Sequence, residues 1–303
     1  MITVPALSQA QDSEFEAPPR GRATGGPDGT GARAASDSEQ IEPARTPWPV
    51  ITVAAAKGGV GKTTLAYELA AALGAVLMDC DWDAGGATRL WGDDPSRRLR
   101  SPVLTALLAC APGIKGPLPA PPRTLEGECK PGLLPMDTRL SDIRDIDIER
   151  WRYLLTSWTS AWQRPLVIDT HPGLAPLSDA AMAAANLVVV PLVYGAMEIT
   201  ALHDFLQQRG SFPILLVPYR KREIRANGKL VEPILDEVAR LGLRASPPIG
   251  DHPFLSRRAW RRSAVCLTKN PGRELAGAAE EFRTVARHIV ELLRPVEDHH
   301  VNK

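Results

Sequence analysis

Aromatic residues make up only 5% of this 303-residue chain, and its charges almost cancel, at +1. A global attraction to nucleic acid or to a membrane surface is therefore excluded, and any basic surface has to be local. The four cysteines, Cys80, Cys110, Cys129 and Cys266, are widely scattered and form no Cys-x-x-Cys pair. That argues against a zinc site and against a disulfide framework, and for a reducing compartment. No uninterrupted apolar run is long enough to span a bilayer. The N-terminus lacks the basic-then-apolar layout of a secretory signal. There is no internal repeat. These absences lead to the expectation of a soluble, cytoplasmic protein, long enough for one large α/β domain or two small ones.

What is present begins with a poor start. Residues 1–47 hold few large apolar side chains and are rich in Gly, Pro, Ala, Ser and mixed charge. Such a stretch buries too little surface to offset its ordering entropy, and is expected to be a disordered tail. Its arginines (Arg20, Arg22, Arg33, Arg45) are read as solvated.

The chemistry starts at residues 50–73. Val50 to Ala55 is an apolar, β-branched run of strand character, and Leu65 to Leu73 has the Ala, Leu and Glu content of a helix. Between them lies Ala56-Lys57-Gly58-Gly59-Val60-Gly61-Lys62-Thr63-Thr64. A glycine-rich turn from strand to helix lets backbone N–H groups wrap a phosphate, helped by the positive end of the helix. Lys62 is then expected on the β- and γ-phosphates of a nucleotide and the Thr63 hydroxyl on Mg²⁺. The usual pattern would place its first glycine at position 56, which is Ala56; a second lysine, Lys57, precedes the paired glycines instead.

Lys57-Gly58-Gly59-Val60-Gly61-Lys62-Thr63-Thr64 resembles the deviant P-loop of the ParA/MinD family of dimeric ATPases. The resemblance implies that all eight residues bind nucleotide. It also implies that Lys62 and Lys57 are catalytic, Lys57 reaching across an ATP-dependent homodimer interface to the partner's nucleotide. Some members carry an N-terminal helix-turn-helix domain, but residues 1–47 lack the periodic apolar pattern to build one.

The folded part is expected over 48–295, with a polar end at 296–303. Short apolar segments read as strands at Ala75–Met78, Gly132–Pro135, Pro165–Asp169, Leu187–Leu192 and Pro213–Val217. Helical patterns fall at Leu104–Ala109, Ile148–Trp162, Asp179–Ala185, Glu198–Gln208, Val231–Leu241 and Leu275–Leu293. Residues 112–132, crowded with Pro and Gly, read as a decorating loop. Strands alternating with helices indicate an α/β fold: one doubly wound, mostly parallel sheet with helices on both faces, in a single domain. Ligands of such sheets sit beyond the carboxyl ends of the strands, where the acidic motifs also fall.

Asp169, at a strand end, fits the carboxylate that P-loop enzymes use for the metal shell. Asp169-Thr170-His171-Pro172 resembles the family's Asp-Thr-Pro-Pro segment, with His171 in place of the first proline. His171 is read as a tolerated loop substitution, not as a general base, because phosphoryl transfer rests on positioning and electrostatics. Asp79-Cys80-Asp81 is similar to the family's Asp-x-Asp-Pro-Gln switch. By that resemblance Asp81 orients the attacking water or the metal's hydration shell, Asp79 supports it, and Thr63, Asp81 and Asp169 form the metal set. Here Trp82-Asp83 replaces Pro-Gln. Cys80, between two carboxylates, is not an activated thiol.

A second feature is local charge. Arg257, Arg258, Arg261 and Arg262 fall on one face if the segment is helical, with Trp260 among them. Arg220, Lys221, Arg222 and Arg225 make a second cluster. Both are expected to hold DNA phosphates without sequence preference, as basic residues of the family's C-terminal region do. The expected function is a ParA-type partition ATPase, nucleoid-associated. It would bind nonspecific double-stranded DNA as an ATP-dependent homodimer and answer to a centromere-binding ParB-like partner, with no membrane. A MinD-like membrane-cycling ATPase would want a basic, apolar C-terminal tip. An iron–sulfur ATPase would want paired cysteines, and a biosynthetic ATPase of the same fold remains open. The tryptophans Trp151, Trp158 and Trp162, at helical spacing, are assigned to the core, and His299-His300 to a polar end.

Overall fold

The computed structural model describes residues 48–83, 86–94, 101–173, 175–193, 196–219, 238–240, 242–257, 261–266 and 272–294. The expected tail, Arg220, Lys221, Arg222, Arg225, Arg258, most of the helix expected over 231–241 and the polar end lie outside these residues.

Apolar runs give the first six strands, and a short exposed pair of residues gives the seventh. They are β1 (Val50–Val53), β2 (Val76–Cys80), β3 (Gly132–Leu134), β4 (Leu166–Thr170), β5 (Leu187–Val193), β6 (Ile214–Tyr219) and β7 (Arg244–Ala245). They form one sheet in the order β3-β2-β4-β1-β5-β6-β7, with every pairing parallel. Strands β1 to β5 are buried along their whole length, as a parallel sheet covered on both faces requires. The expected fold class is therefore the observed one.

The helices are α1 (Lys62–Ala72), α2 (Ala87–Trp91), α3 (Pro102–Ala109), α4 (Ile148–Trp162), α5 (Pro176–Ala184), α6 (Ala196–Arg209), α7 (Pro253–Arg257) and α8 (Arg273–Leu293). Strand alternation sends Ile51, Val53, Leu77, Val167 and Val189 to one face, packed with Leu65 and Leu69 of α1 and Phe282, Val285 and Ile289 of α8. Val76, Met78, Leu166 and Ile168 point to the other face, against α3, α4 and α5. The apolar stripe of α8 is thus spent on the core of its own domain.

Helix α4 shows how local sequence sets an element. Asp147 caps it, its carboxylate accepting the Arg150 N–H at 3.1 Å, and Glu149 sits in the first turn where negative charge is favourable. Trp151 and Trp158 are fully buried. The indole N–H groups of Trp158 and Trp162 donate to the carbonyls of Pro119 (2.9 Å) and Pro122 (3.1 Å), so the helix holds the proline-rich loop to the domain.

Two departures from expectation stand out. Arg261 and Arg262 are not helical, and Arg261 has φ 55°. Tertiary contacts to α1 decide this. The Tyr67 hydroxyl donates to the Arg261 carbonyl at 3.0 Å. The buried Glu68 carboxylate collects the Ser263 hydroxyl at 2.6 Å and the N–H groups of Ala264 and Val265 at 3.2 and 3.3 Å. Those bonds need a local turn and outweigh helix propensity. Second, Cys129 and Cys266, 137 residues apart, are brought together, the Cys129 thiol donating to the Cys266 carbonyl at 3.5 Å.

Candidate functional site

The strand order puts β1 between β4 and β5, with β2 just beyond β4. Register sets Asp169 beside Val53 on one side and Asp79 on the other. The segments that leave β1, β2 and β4 therefore meet at one edge of the sheet, where an α/β fold binds its ligands.

After β1 the chain turns through Gly59 (φ 77°) and Gly61 (φ 92°), in the left-handed region that glycine tolerates. Lys62 opens α1 and is buried. Burial lowers its pKa, opposed by the negative charges of Asp169 and Asp81. The exit of β4 is stitched to the end of β1 and the residues leading into this turn: the Thr170 hydroxyl donates to the Val53 carbonyl at 2.9 Å, and the Gly173 N–H to the Ala55 carbonyl at 3.1 Å. Lys57 stands at the rim, and its ammonium pairs with Glu198 of α6 at 2.9 Å.

The acids divide into distinct environments. Asp79 is fully buried and accepts three hydrogen bonds: from the Asp81 N–H (3.0 Å), the Thr88 N–H (2.6 Å) and the Thr88 hydroxyl (2.6 Å). Burial raises its pKa to about 6, with those donors pulling the other way. Gly86 makes this packing possible, since a Cβ there would lie 3.0 Å from Asp79 Oδ1. Asp169 is also fully buried, and among the described residues neither of its oxygens has a hydrogen-bond partner within bonding geometry. Burial, followed by the charge of Asp79, drives its pKa well up, against the pull of the Thr63 hydroxyl and the Lys62 ammonium. Asp81 is nearly buried; its Oδ1 accepts the Asp83 N–H at 3.1 Å and lies 2.9 Å from His171 Nδ1.

Two bare, buried carboxylate oxygens next to a lysine are costly without a cation. Oxygen donors from Asp169, Thr63 and Asp81 suit a hard divalent ion such as Mg²⁺, and the buried Lys62 with the glycine turn suits the phosphates it would accompany. The structure thus gathers Lys57 to Thr64, Asp81 and Asp169 at one edge. It also adds residues that the sequence did not single out: Glu198, which holds Lys57, and the pairing of His171 with Asp81. The signal for the second was available. Positions 82–83 and 171 are where the chain departs from the pattern it resembles, and they meet in space.

The basic set is only partly among the described residues. Arg257 is the last residue of α7. Arg262 pairs with Glu128 at 2.9 Å, and the Arg261 guanidinium reaches the Gly92 carbonyl at 3.5 Å. Lys130 lies close to both; its pKa is lowered by burial first and then by these two arginines.

Residues 51–229 match the family model of the CobQ/CobB/MinD/ParA nucleotide-binding domain. The chain belongs to this family. Among solved structures it resembles the MinD cell division protein of Aquifex aeolicus, with TM-score 0.57 and 20% identity over 82% of this chain and 99% of that one. It also resembles a plasmid partition protein from Borrelia burgdorferi, with TM-score 0.54 and 18% identity over 82% and 100%. A third is the septum site-determining protein MinD of Pyrococcus horikoshii complexed with Mg-ADP, with TM-score 0.52 and 15% identity over 80% and 96%. No curated protein matches by sequence. The chain is a P-loop ATPase of the ParA/MinD type, and no described helix is long and apolar enough to cross a membrane.

Proposed function

We propose that this ATPase is a ParA-type partition ATPase that dimerises on ATP, binds DNA without sequence preference, and is released when a centromere-bound ParB-like partner stimulates hydrolysis. The observation that carries the reading is Lys57. It sits at the rim of the nucleotide turn with its side chain 36% exposed, held by an ion pair at the surface, which costs little to exchange for a phosphate on a second copy. Lys62 and the N–H groups of residues 58–64 hold the β- and γ-phosphates. Asp169 and Thr63 hold Mg²⁺, which when bound neutralises charge building on the phosphate oxygens. Asp81 orients the attacking water. Support for the DNA arm comes from Arg261 and Arg262, adjacent in the chain and lying near Lys130. Against membrane cycling, the apolar face of α8 is already committed to the core.

Anisotropy of a labelled random-sequence duplex, titrated with protein in ATP, ADP or no nucleotide, tests the reading. Tight binding in ATP alone, lost in Lys57→Ala and in the double variant Arg261→Ala/Arg262→Ala, is the expected result. Equal affinity in ADP and ATP would sink it, and binding in no state would redirect attention to liposomes.

A further inference from the structure

The segments that follow β2 and β4 do more than lie near each other. The imidazole of His171 stacks on the indole of Trp82, with ring centroids 3.9 Å apart and planes 16° from parallel. Its Nδ1 lies 2.9 Å from Asp81 Oδ1 and 3.7 Å from Asp83 Oδ2. The backbone on which it sits is fixed from two sides: the Ser178 hydroxyl of α5 donates to the His171 carbonyl at 3.0 Å, and the Gly173 N–H donates to the carbonyl of Ala55, just before the nucleotide turn. Pro172, next in line, borders that turn at Gly58.

We infer that His171 is a positioning residue for hydrolysis: it holds the Asp81 carboxylate in place, with Trp82 as the face that locks its ring. This rests on the reading of Asp81 as the group that orients water. Asp81 Oδ1 accepts the Asp83 N–H, and His171 Nδ1 lies within hydrogen-bonding distance of the same oxygen. Rotation of the carboxylate would break both, so Oδ2 is left for water at a set angle. Two loops of a nucleotide site are otherwise free to drift, and a misplacement of about 1 Å costs roughly 10²-fold in rate. The stack lowers the entropy that His171 would lose on making its bond, since a ring already clamped has one orientation. Because the same backbone contacts the nucleotide turn, a shift of that turn would reach Asp81 through His171.

The ligand atoms of Asp81, Asp83 and His171 lie within 4.8 Å of one another, so a divalent cation is a rival use of the trio. Asp83 is 69% exposed, whereas the Trp82 stack and the short Nδ1 contact pair His171 with Asp81 directly.

Single-turnover ATP hydrolysis and the affinity for a fluorescent ATP analogue, measured on the full chain, test the inference. His171→Ala is expected to lower the hydrolysis rate about 10²-fold, the scale of a misplaced group, while ATP-analogue affinity stays within about twofold. His171→Asn, whose amide keeps a donor, should recover part of the loss, and Trp82→Phe should cost less than Trp82→Ala. In an Asp81→Asn background, His171→Ala should have no further effect, because it acts through that carboxylate. Wild-type rate in a folded His171→Ala, or losses that multiply independently with Asp81→Asn, would overturn the proposal. So would one equivalent of zinc or manganese retained by nucleotide-free protein and lost in His171→Ala. A wild-type chain that hydrolyses no ATP would bring down the underlying reading of Asp81 as well, which separates the two failures.

Discussion

Asp79 shows what burial does to a single group. Its carboxyl is fully enclosed, its pKa is raised from 3.8 to about 6, and Asp169 beside it is also pushed well up. A raised acid pKa means that the folded protein holds its proton longer than the unfolded chain. The associated stability is fully present below about pH 4 and is lost as pH rises through about 6. For Asp79 this amounts to about 3 kcal/mol, because each tenfold change in proton affinity is worth about 1.4 kcal/mol. Urea unfolding in EDTA should therefore give midpoints that fall between about pH 4 and pH 7, and added Mg²⁺ should flatten the decline by compensating Asp169. A profile that rises over this range would contradict the assignment of these acids as buried groups whose burial outweighs the charge and hydrogen bonds that favour their ionised form.

Helices carry the next level of constraint. In α4 the Trp158 ring fills the core between sheet and loop while its N–H ties down Pro119. Trp158→Ala should cost about 3–5 kcal/mol, read from the denaturation midpoint, whereas Trp162→Phe, which loses mainly one hydrogen bond, should cost about 1 kcal/mol. Helix α6 plays a different part, because its Glu198 pairs with Lys57 at a partly exposed position. Surface pairs are worth about 0–1 kcal/mol. Glu198→Gln is accordingly expected to lower the ATP concentration needed for dimerisation by up to about fivefold, followed by light scattering. No change, or a rise, would mean that Glu198 does not restrain the lysine.

Across the whole molecule the charges nearly cancel, so the proposed DNA binding would have to come from local clusters, and salt is the test. Each phosphate contact contributes about 0.9 to the slope of log affinity against log salt. Arg261→Ala/Arg262→Ala should lower that slope by up to about 2 and weaken binding evenly across sequences. An unchanged slope would make these two arginines partners of Glu128 and Gly92 and nothing more. The same scale explains why α8 is amphipathic: it closes one face of the sheet against α1.

Sequence by itself determined the sheet class, the helix and strand cores and the nucleotide turn. Each depends on neighbours in the chain: alternation of apolar runs with helical spacing, and glycines set between a strand and a helix. Ile148–Trp162 was legible to its ends because its leucines and tryptophans share one helical period. Short or exposed pieces such as β7, α2 and α7 carry too few residues for a period to emerge. Only the tertiary structure decided the rest. Parallel pairing of β2, β4 and β1, elements far apart in sequence, brought Asp79 beside Asp169 and His171 onto Asp81 and Trp82. Contacts of Tyr67 and Glu68 with 261–265 overrode the helix that the arginine spacing suggested. A side chain's partner across the sheet is set by strand order, and strand order is not written in any local stretch of the chain.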